Sequence, residues 1–328
     1  MQSASKVVLE QATLARWSEK HLGQRLVNSR EINDGWFNTI HVLELADGSQ
    51  VVFKASPPPT FAVMRYERDI LATEVAVYRC LAQAGLCVPR VLVDCPAGDG
   101  LGHAWFMMEF VAGETWARLR QRLPADSCDR VDARIAQQAA RVNGIEGARF
   151  GRWREDHCSS SSWATSFLLM AEDLLADAQD KSVDLPWGES RLRELFWAAR
   201  AELDAVKTPQ LVLWDLHDGN VMVQPDSLAL AAFLDTDRAL WGDPLLEFYF
   251  RGLANSSDAW KQGYRRACAA AGKVFPPETP GAARRLALYE LYLALVMLIE
   301  ATYRQYGTEH KAWARDYCER ALAACDSG

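Results

Sequence analysis

Leu211-Val-Leu-Trp-Asp-Leu-His-Asp-Gly-Asn-Val-Met-Val223 sets two short apolar runs on either side of a polar turn. The flanking Val and Leu residues predict β-strands, and Asp218-Gly219 supplies turn residues. The turn presents Asp215 and, five positions later, Asn220. That pairing suits phosphoryl transfer. A carboxylate can accept the proton of an attacking hydroxyl, and an amide oxygen is a hard ligand for a metal. Asp and Asn are common in any turn, so the pattern gains weight only from a second run some ten residues on. Ala231-Ala-Phe-Leu-Asp235-Thr-Asp237 is another apolar run ending in carboxylates. Strand, Asp-x4-Asn, strand, Asp predicts two hairpins that bring Asp215, Asn220 and Asp235 around one Mg²⁺-nucleotide.

Composition bounds the rest. A chain of 328 residues has room for two lobes and a substantial core. Hydrophobic residues at 49% and charged residues at 24% are ordinary for a globular protein. A net charge of −7 argues against a nucleic-acid partner, which usually meets a basic face. The eight cysteines (Cys80, Cys87, Cys95, Cys128, Cys158, Cys268, Cys318 and Cys325) form no CxxC pair. Reduced thiols in a cytosolic protein are expected. No apolar leader opens the chain and no uninterrupted apolar run reaches membrane length, so a cytoplasmic protein without a membrane partner is expected.

In chain order, apolar spacing predicts a helix over residues 8–22, ended by Gly23. Residues 26–55 read as β-structure with a hairpin turn at Asp47-Gly48. Asp34-Gly35 with Asn38 and Thr39 suits a turn over a phosphate, or an ordinary hairpin. Val51-Val-Phe-Lys54 closes an apolar strand with a lysine, where an ammonium can meet nucleotide phosphates. An edge lysine that keeps a sheet soluble looks the same. After Pro57-Pro-Pro59 a helix is expected over residues 62–84. Glu67 and Glu74 fall on one face of it. Glu74 is the better partner for Lys54, and Glu67 reads as a solvated helix residue. Strands near 88–93 and 104–111 complete a five-stranded region. Residues 109–113 then form a hinge, beyond which the chain is mostly helical. The backbone of Glu109 and Val111 can hydrogen-bond a purine, and Met107 or Met108 can line its pocket. At least one of those two methionines is core.

Lys54, Glu74, the hinge, Asp215-x4-Asn220 and Asp235 stand in the order and spacing of the kinases. The runs Asp215-Leu-His-Asp-Gly-Asn-Val and Leu234-Asp-Thr-Asp…Trp241-Gly-Asp-Pro244 resemble the aminoglycoside phosphotransferase and choline kinase branch of the protein-kinase-like superfamily. The resemblance covers about residues 25–305. It implies an α+β, two-lobed fold: a β N-lobe with one helix (residues 1–108), the hinge, and a helical C-lobe (114–328). It implies Mg²⁺ with ATP or GTP, held by Lys54, Glu74, Met108, Glu109 and Val111. Asn220 and Asp235 are then metal ligands and Asp215 the catalytic carboxylate, with His217 structural. Asp237 could join the metal shell or lie at the surface, and Asp243 reads as a helix cap ahead of Pro244.

Two departures from the family pattern stand out. Leu213-Trp214 replaces a His-Gly pair before Asp215, and Arg141-Val-Asn-Gly-Ile145 replaces a Leu-His-x-Ile pattern. Two histidines lost together suggest that they were neighbours in space. The serine-rich stretch 151–163 is expected either to cover a substrate or to connect helices. The acidic balance beyond the hinge favours a cationic acceptor, an aminoglycoside-type antibiotic above all. A choline- or sugar-type metabolic kinase, or a nucleotide-binding pseudokinase, is the alternative.

Overall fold

Alternation along β-strands decides which side chains meet in the first half of the chain. The computed structural model describes residues 5–32, 37–248 and 257–326. The Asp34-Gly35 turn lies outside the described residues. The strands are β1 (Leu26–Ile32), β2 (Thr39–Leu45), β3 (Gln50–Ala55), β4 (Val91–Cys95), β5 (Trp105–Glu109), β6 (Glu114–Thr115), β7 (Gly151–Arg152), β8 (Gln210–Val212), β9 (Val221–Val223), β10 (Leu230–Phe233) and β11 (Leu240–Gly242). The helices are α1 (Gln11–Trp17), α2 (Ile70–Gln83), α3 (Trp116–Leu119), α4 (Ala125–Val142), α5 (Trp163–Asp180), α6 (Gly188–Ala198), α7 (Arg200–Asp204), α8 (Asp258–Ala270), α9 (Ala282–Tyr303) and α10 (Thr308–Asp326).

They form two units. The first takes in Met1–Ala62, Asp69–Thr115 and Val221–Asp237; the second takes in Val63–Arg68, Trp116–Asn220 and Arg238–Gly328. The division expected at residues 109–113 thus falls a few residues later, and residues 221–237 join the first unit. The reason is pairing: β6 and β10 both bond to β9. Gly113 makes that approach possible. Its φ is 141°, and a Cβ there would stand 2.8 Å from the Val223 carbonyl oxygen.

The first unit is built on an antiparallel five-stranded sheet in the order β1-β2-β3-β5-β4. Val51, Phe53, Ala55, Trp105 and Met107 bury one face against Leu14 and Trp17 of α1. The indole of Trp17 stacks on Phe53 and Trp105. Val52, Phe106 and Met108 bury the other face against Leu71, Val75 and Tyr78 of α2. Met107 and Met108 therefore point to opposite sides, and both are core.

Helix α2 starts at Ile70, not near residue 62. A short 3₁₀ turn (Arg65–Glu67) comes first; Arg68 is extended and Asp69 left-handed, with φ 55°. Glu67 corrects the sequence reading outright. It is 4% exposed, and its Oε1 sits 2.6 Å from Arg304. Its Oε2 accepts the Met64 N–H at 2.8 Å. Arg65 reaches Asp177 and Asp180 at 2.5 and 2.8 Å. Charge pairing with α5 and the end of α9 binds residues 63–68 into the second unit, and that ends the helical register.

In the second unit α5, α7 and α10 pack against α9, and α4 packs against α8. Helix α9 has the length and apolarity of a membrane span, but 72% of its apolar window is buried inside the protein. Leu288, Tyr289, Leu291, Leu295 and Ile299 make it the core helix. Asp243 caps the turn Pro244–Phe248 by accepting the Leu245 N–H at 3.0 Å. Its other oxygen holds Arg285 at 2.7 Å and Tyr289 at 2.9 Å, a buried junction beyond the cap. The two hairpins expected around residues 211–235 form only in part. β9 pairs with β10, whereas β8 pairs with β11 in a separate sheet with β7. The loop between β8 and β9 passes from one sheet to the other. The eight cysteines are unpaired thiols.

Candidate active site

Lys54 is the centre of the first unit's cluster. In β3 it pairs with Ile40 and Phe106, so its side chain points to the α2 face. Nζ lies 2.7 Å from Glu74 Oε2 and 2.6 Å from Asp235 Oδ1. Tyr78, one turn beyond Glu74, ties the group together. Its hydroxyl donates to Glu74 Oε1 and accepts the Asp235 N–H, both at 2.9 Å. Asp235 is delivered by β10, whose Phe233 N–H bonds to the Cys87 carbonyl. Burial alone would lower the Lys54 ammonium; Asp235 and Glu74, with Asp237 behind them, reverse this and hold it above its ordinary value. Lys54 is 3% exposed, but 42% of the Asp235 side chain is open. Asp235 is also left-handed, with φ 55°, backbone strain of a kind that collects at functional sites.

Carboxylate oxygens of Glu74, Asp235 and Asp237 lie within 4.8 Å of one another. Hard anionic oxygens at that spacing fit a small divalent cation such as Mg²⁺. Asp237 is therefore part of the cluster and not a surface residue. Met108 packs beside Phe106 on the same face of the sheet as Lys54. Glu109 ends β5 with its N–H bonded to the Arg90 carbonyl at 2.9 Å and its carboxylate on the Arg90 guanidinium at 2.6 Å. Its amide is thus already committed. Val111 stands half-buried in the extended link to β6.

In the second unit, the loop after β8 holds its own shape. The His217 N–H bonds to the Asp215 carbonyl at 3.0 Å, and the Asn220 N–H to the His217 carbonyl at 2.9 Å. The Asn220 amide nitrogen donates to the Asp215 carbonyl at 2.9 Å. His217 Nδ1 accepts the Gly219 N–H at 3.0 Å, and its Nε2 is 3.9 Å from Asp215 Oδ1. A Cβ on Gly219 would strike that imidazole at 2.6 Å. His217 shapes the loop.

The departures from the family pattern meet in space. Glu247 Oε1 accepts the Leu213 N–H at 2.5 Å and the Asn143 amide at 3.3 Å; the same amide also reaches the Leu211 carbonyl at 2.7 Å. Trp214 has φ 62°, a left-handed conformation that glycine adopts freely. It is 4% exposed, packed against Tyr66 and Tyr292.

Arg238 was not singled out from sequence, although it follows Asp235 by three residues. Its Nε lies 3.7 Å from Asp215 Oδ2, its Nη2 3.3 Å from Glu300, and its guanidinium covers the Tyr66 ring. Glu300 pairs in turn with Arg304. Tyr78 carried a readable signal, four residues from Glu74 on one helix face. Glu300 and Arg304 are an i,i+4 pair at the end of α9, but their links to Arg238 and Glu67 join distant segments and leave no local pattern.

The stretch 151–163 is knitted in place. Trp153 stacks on Trp241 at 5.0 Å, and Arg152 joins Asp156 and Asp173 at 2.8 and 2.7 Å. Burial pushes the Cys158 thiol up to about 12.

This architecture is shared with solved structures of small-molecule kinases. A candidate fructosamine-3-kinase from Thermobifida fusca YX-ER1 is 20% identical, with a TM-score of 0.67 over 96% of this chain and 100% of that one. A thermostable mutant of aminoglycoside phosphotransferase APH(4)-Ia is 17% identical, with a TM-score of 0.66 over 94% and 98%. The streptomycin–ATP complex of APH(2")-IIa is 18% identical, with a TM-score of 0.61 over 96% and 97%. At such identities the likeness shows the fold alone. No curated protein matches the sequence. Residues 29–288 match the model of the phosphotransferase enzyme family, and the chain belongs to that family.

Proposed function

We propose that the chain transfers the γ-phosphoryl group of ATP or GTP to a hydroxyl of a small molecule. The observation that carries this reading is the buried Lys54 held between Glu74 and Asp235, with Asp237 beside them. Such a cluster is costly unless a polyanion with its cation completes it. Lys54 neutralises the phosphates that are not transferred. Asp235, with the Asn220 oxygen, holds Mg²⁺, which supplies positive charge to the phosphoryl oxygens. Asp215 accepts a hydrogen bond from the acceptor hydroxyl and aligns it for in-line attack. Arg238, 3.7 Å away, orients that carboxylate. Met108 and the backbone around Glu109 and Val111 serve the base; the Glu109 carbonyl and the Val111 amide are the groups suited to it. The streptomycin–ATP complex of APH(2")-IIa supports ATP as the donor.

An aminoglycoside is the acceptor suggested by the acidic balance of the sequence, and a sugar-type acceptor is the second reading. Calorimetric titration of ATP and GTP with and without Mg²⁺ tests the donor side, and metal-dependent binding is expected. A coupled nucleotide-consumption screen over aminoglycosides, other hydroxylated antibiotics, choline and sugars tests the acceptor side. Binding without turnover of any acceptor would mark a pseudokinase.

A further inference from the structure

Three consecutive residues after β7 converge on one point. In a strand, the side chains of Asp156, His157 and Cys158 would alternate in direction. Here a tight turn brings them together. The Ser159 N–H bonds to the Asp156 carbonyl at 3.0 Å, and Asp156 Oδ1 accepts the Cys158 N–H at 2.9 Å. Ligand atoms of the three lie within 4.8 Å of one another. Asp173, on α5, joins them. His157 Nε2 is 2.9 Å from Asp173 Oδ1 and 3.5 Å from Cys158 Sγ, and that sulfur is 3.6 Å from Asp173 Oδ2.

These separations resemble the edges of a coordination tetrahedron. Zinc holds sulfur at about 2.3 Å and nitrogen or oxygen at about 2.0–2.2 Å, which gives edges of about 3.3–3.6 Å. Two of the three edges already match. The third is a hydrogen bond, and an ion in place of its proton opens it by a few tenths of an ångström. One sulfur, one imidazole and carboxylates suit zinc, whereas magnesium favours oxygen alone. The all-carboxylate cluster of Glu74, Asp235 and Asp237 is different chemistry. Arg152 orients the acidic donors from behind. Its Nη1 holds Asp156 at 2.8 Å and stands 3.3 Å from Cys158 Sγ, and its Nη2 holds Asp173 Oδ2 at 2.7 Å. Two carboxylates and a thiolate then balance one guanidinium and one divalent ion. Cys158 is buried, but the His157 side chain is 61% exposed and opens the cluster to solvent.

We propose that His157, Cys158 and Asp173, with Asp156 as fourth donor, bind a zinc-like divalent cation that staples the 151–163 loop to α5. On binding, a sulfur–metal bond replaces the S–H bond and the proton leaves to solvent. None of these residues takes part in the phosphoryl transfer proposed above, so the two readings stand or fall separately.

The test uses the full chain, stripped with a chelator, kept reduced and titrated with Co²⁺ in a large excess of Mg²⁺. Cobalt is the probe because a thiolate ligand gives it a charge-transfer band that oxygen ligands do not. A single equivalent of Co²⁺ should raise that band, and Zn²⁺ should displace it and raise the thermal midpoint. Cys158→Ser should remove the band. His157→Ala, at an exposed position, should weaken Co²⁺ binding about tenfold or more and cancel the Zn²⁺ shift of the midpoint. Absence of a thiolate band in the folded chain overturns the proposal. A band that survives Cys158→Ser also overturns it, since it would come from another of the eight thiols. So does an affinity unchanged in His157→Ala, which decides alone if the Ser variant fails to fold.

Discussion

Asp215 and Asp235 are both carboxylates after short apolar strands, yet their surroundings differ. Asp235 is ion-paired to Lys54 beside two more carboxylates, whereas Asp215 faces Arg238 and a loop of its own making. Asp215→Ala should abolish phosphate transfer and leave nucleotide affinity nearly unchanged. Asp235→Ala should lose metal-dependent nucleotide binding. Calorimetry and turnover assays on both variants separate the roles, and near-full turnover by Asp215→Ala would refute the assignment. Lys54→Met strands two carboxylates that shared one ammonium, Glu74 of them fully buried. A stability loss of about 3 kcal/mol in urea titration is expected, partly recovered by adding Glu74→Gln. Residue identity was legible here because Lys54, Asp215, Asn220 and Asp235 sit at strand ends whose apolar runs are plain. Arg238 was not, since nothing in a polar loop says which carboxylate an arginine will choose.

At the scale of elements, the segment before α2 shows where reading by periodicity stops. A helix over residues 62–84 satisfies local spacing, and Glu67 looks solvated on it. Its partner Arg304 lies 237 positions away. That contact removes Glu67 from solvent and bends the chain out of the helix. Arg304→Met leaves Glu67 and Glu300 buried without their shared guanidinium. It should destabilise the protein by about 3–5 kcal/mol, read as a fall in thermal midpoint. Adding Glu67→Gln should recover part of the loss; no recovery would mean that the pair is not the source. The sequence also implied that β8 and β9 form a hairpin. Both strands exist, but each takes another partner, β8 pairing with β11 and β9 with β10.

For the whole molecule, the pH response should be carried in part by the first unit's histidines. Burial lowers His41, against the Glu31 charge and with that of Lys6; burial also lowers His103, against a hydrogen bond to Ser56. A histidine whose pKa is depressed on folding contributes stability that is complete above its unfolded value near 6.5. That contribution is lost as pH falls below it. Denaturant midpoints should therefore decline from pH 7.5 to 5.5, and the paired variant His41→Leu with His103→Leu should show a flatter slope. Equal slopes would exclude the histidines as the cause.

What the sequence determined by itself was the order of elements and the chemistry at their ends. Strand alternation, Gly and Pro punctuation and the two aspartate motifs are local signals, readable within a dozen residues. Tertiary structure alone decided which sheet each strand joined, that Glu67 is buried, that Asp237 stands with Glu74 and Asp235, and that Arg238 stands beside Asp215. Those outcomes depend on charges and surfaces that meet only after distant segments pack. Desolvation then sets the energy of each meeting, and no local pattern records it.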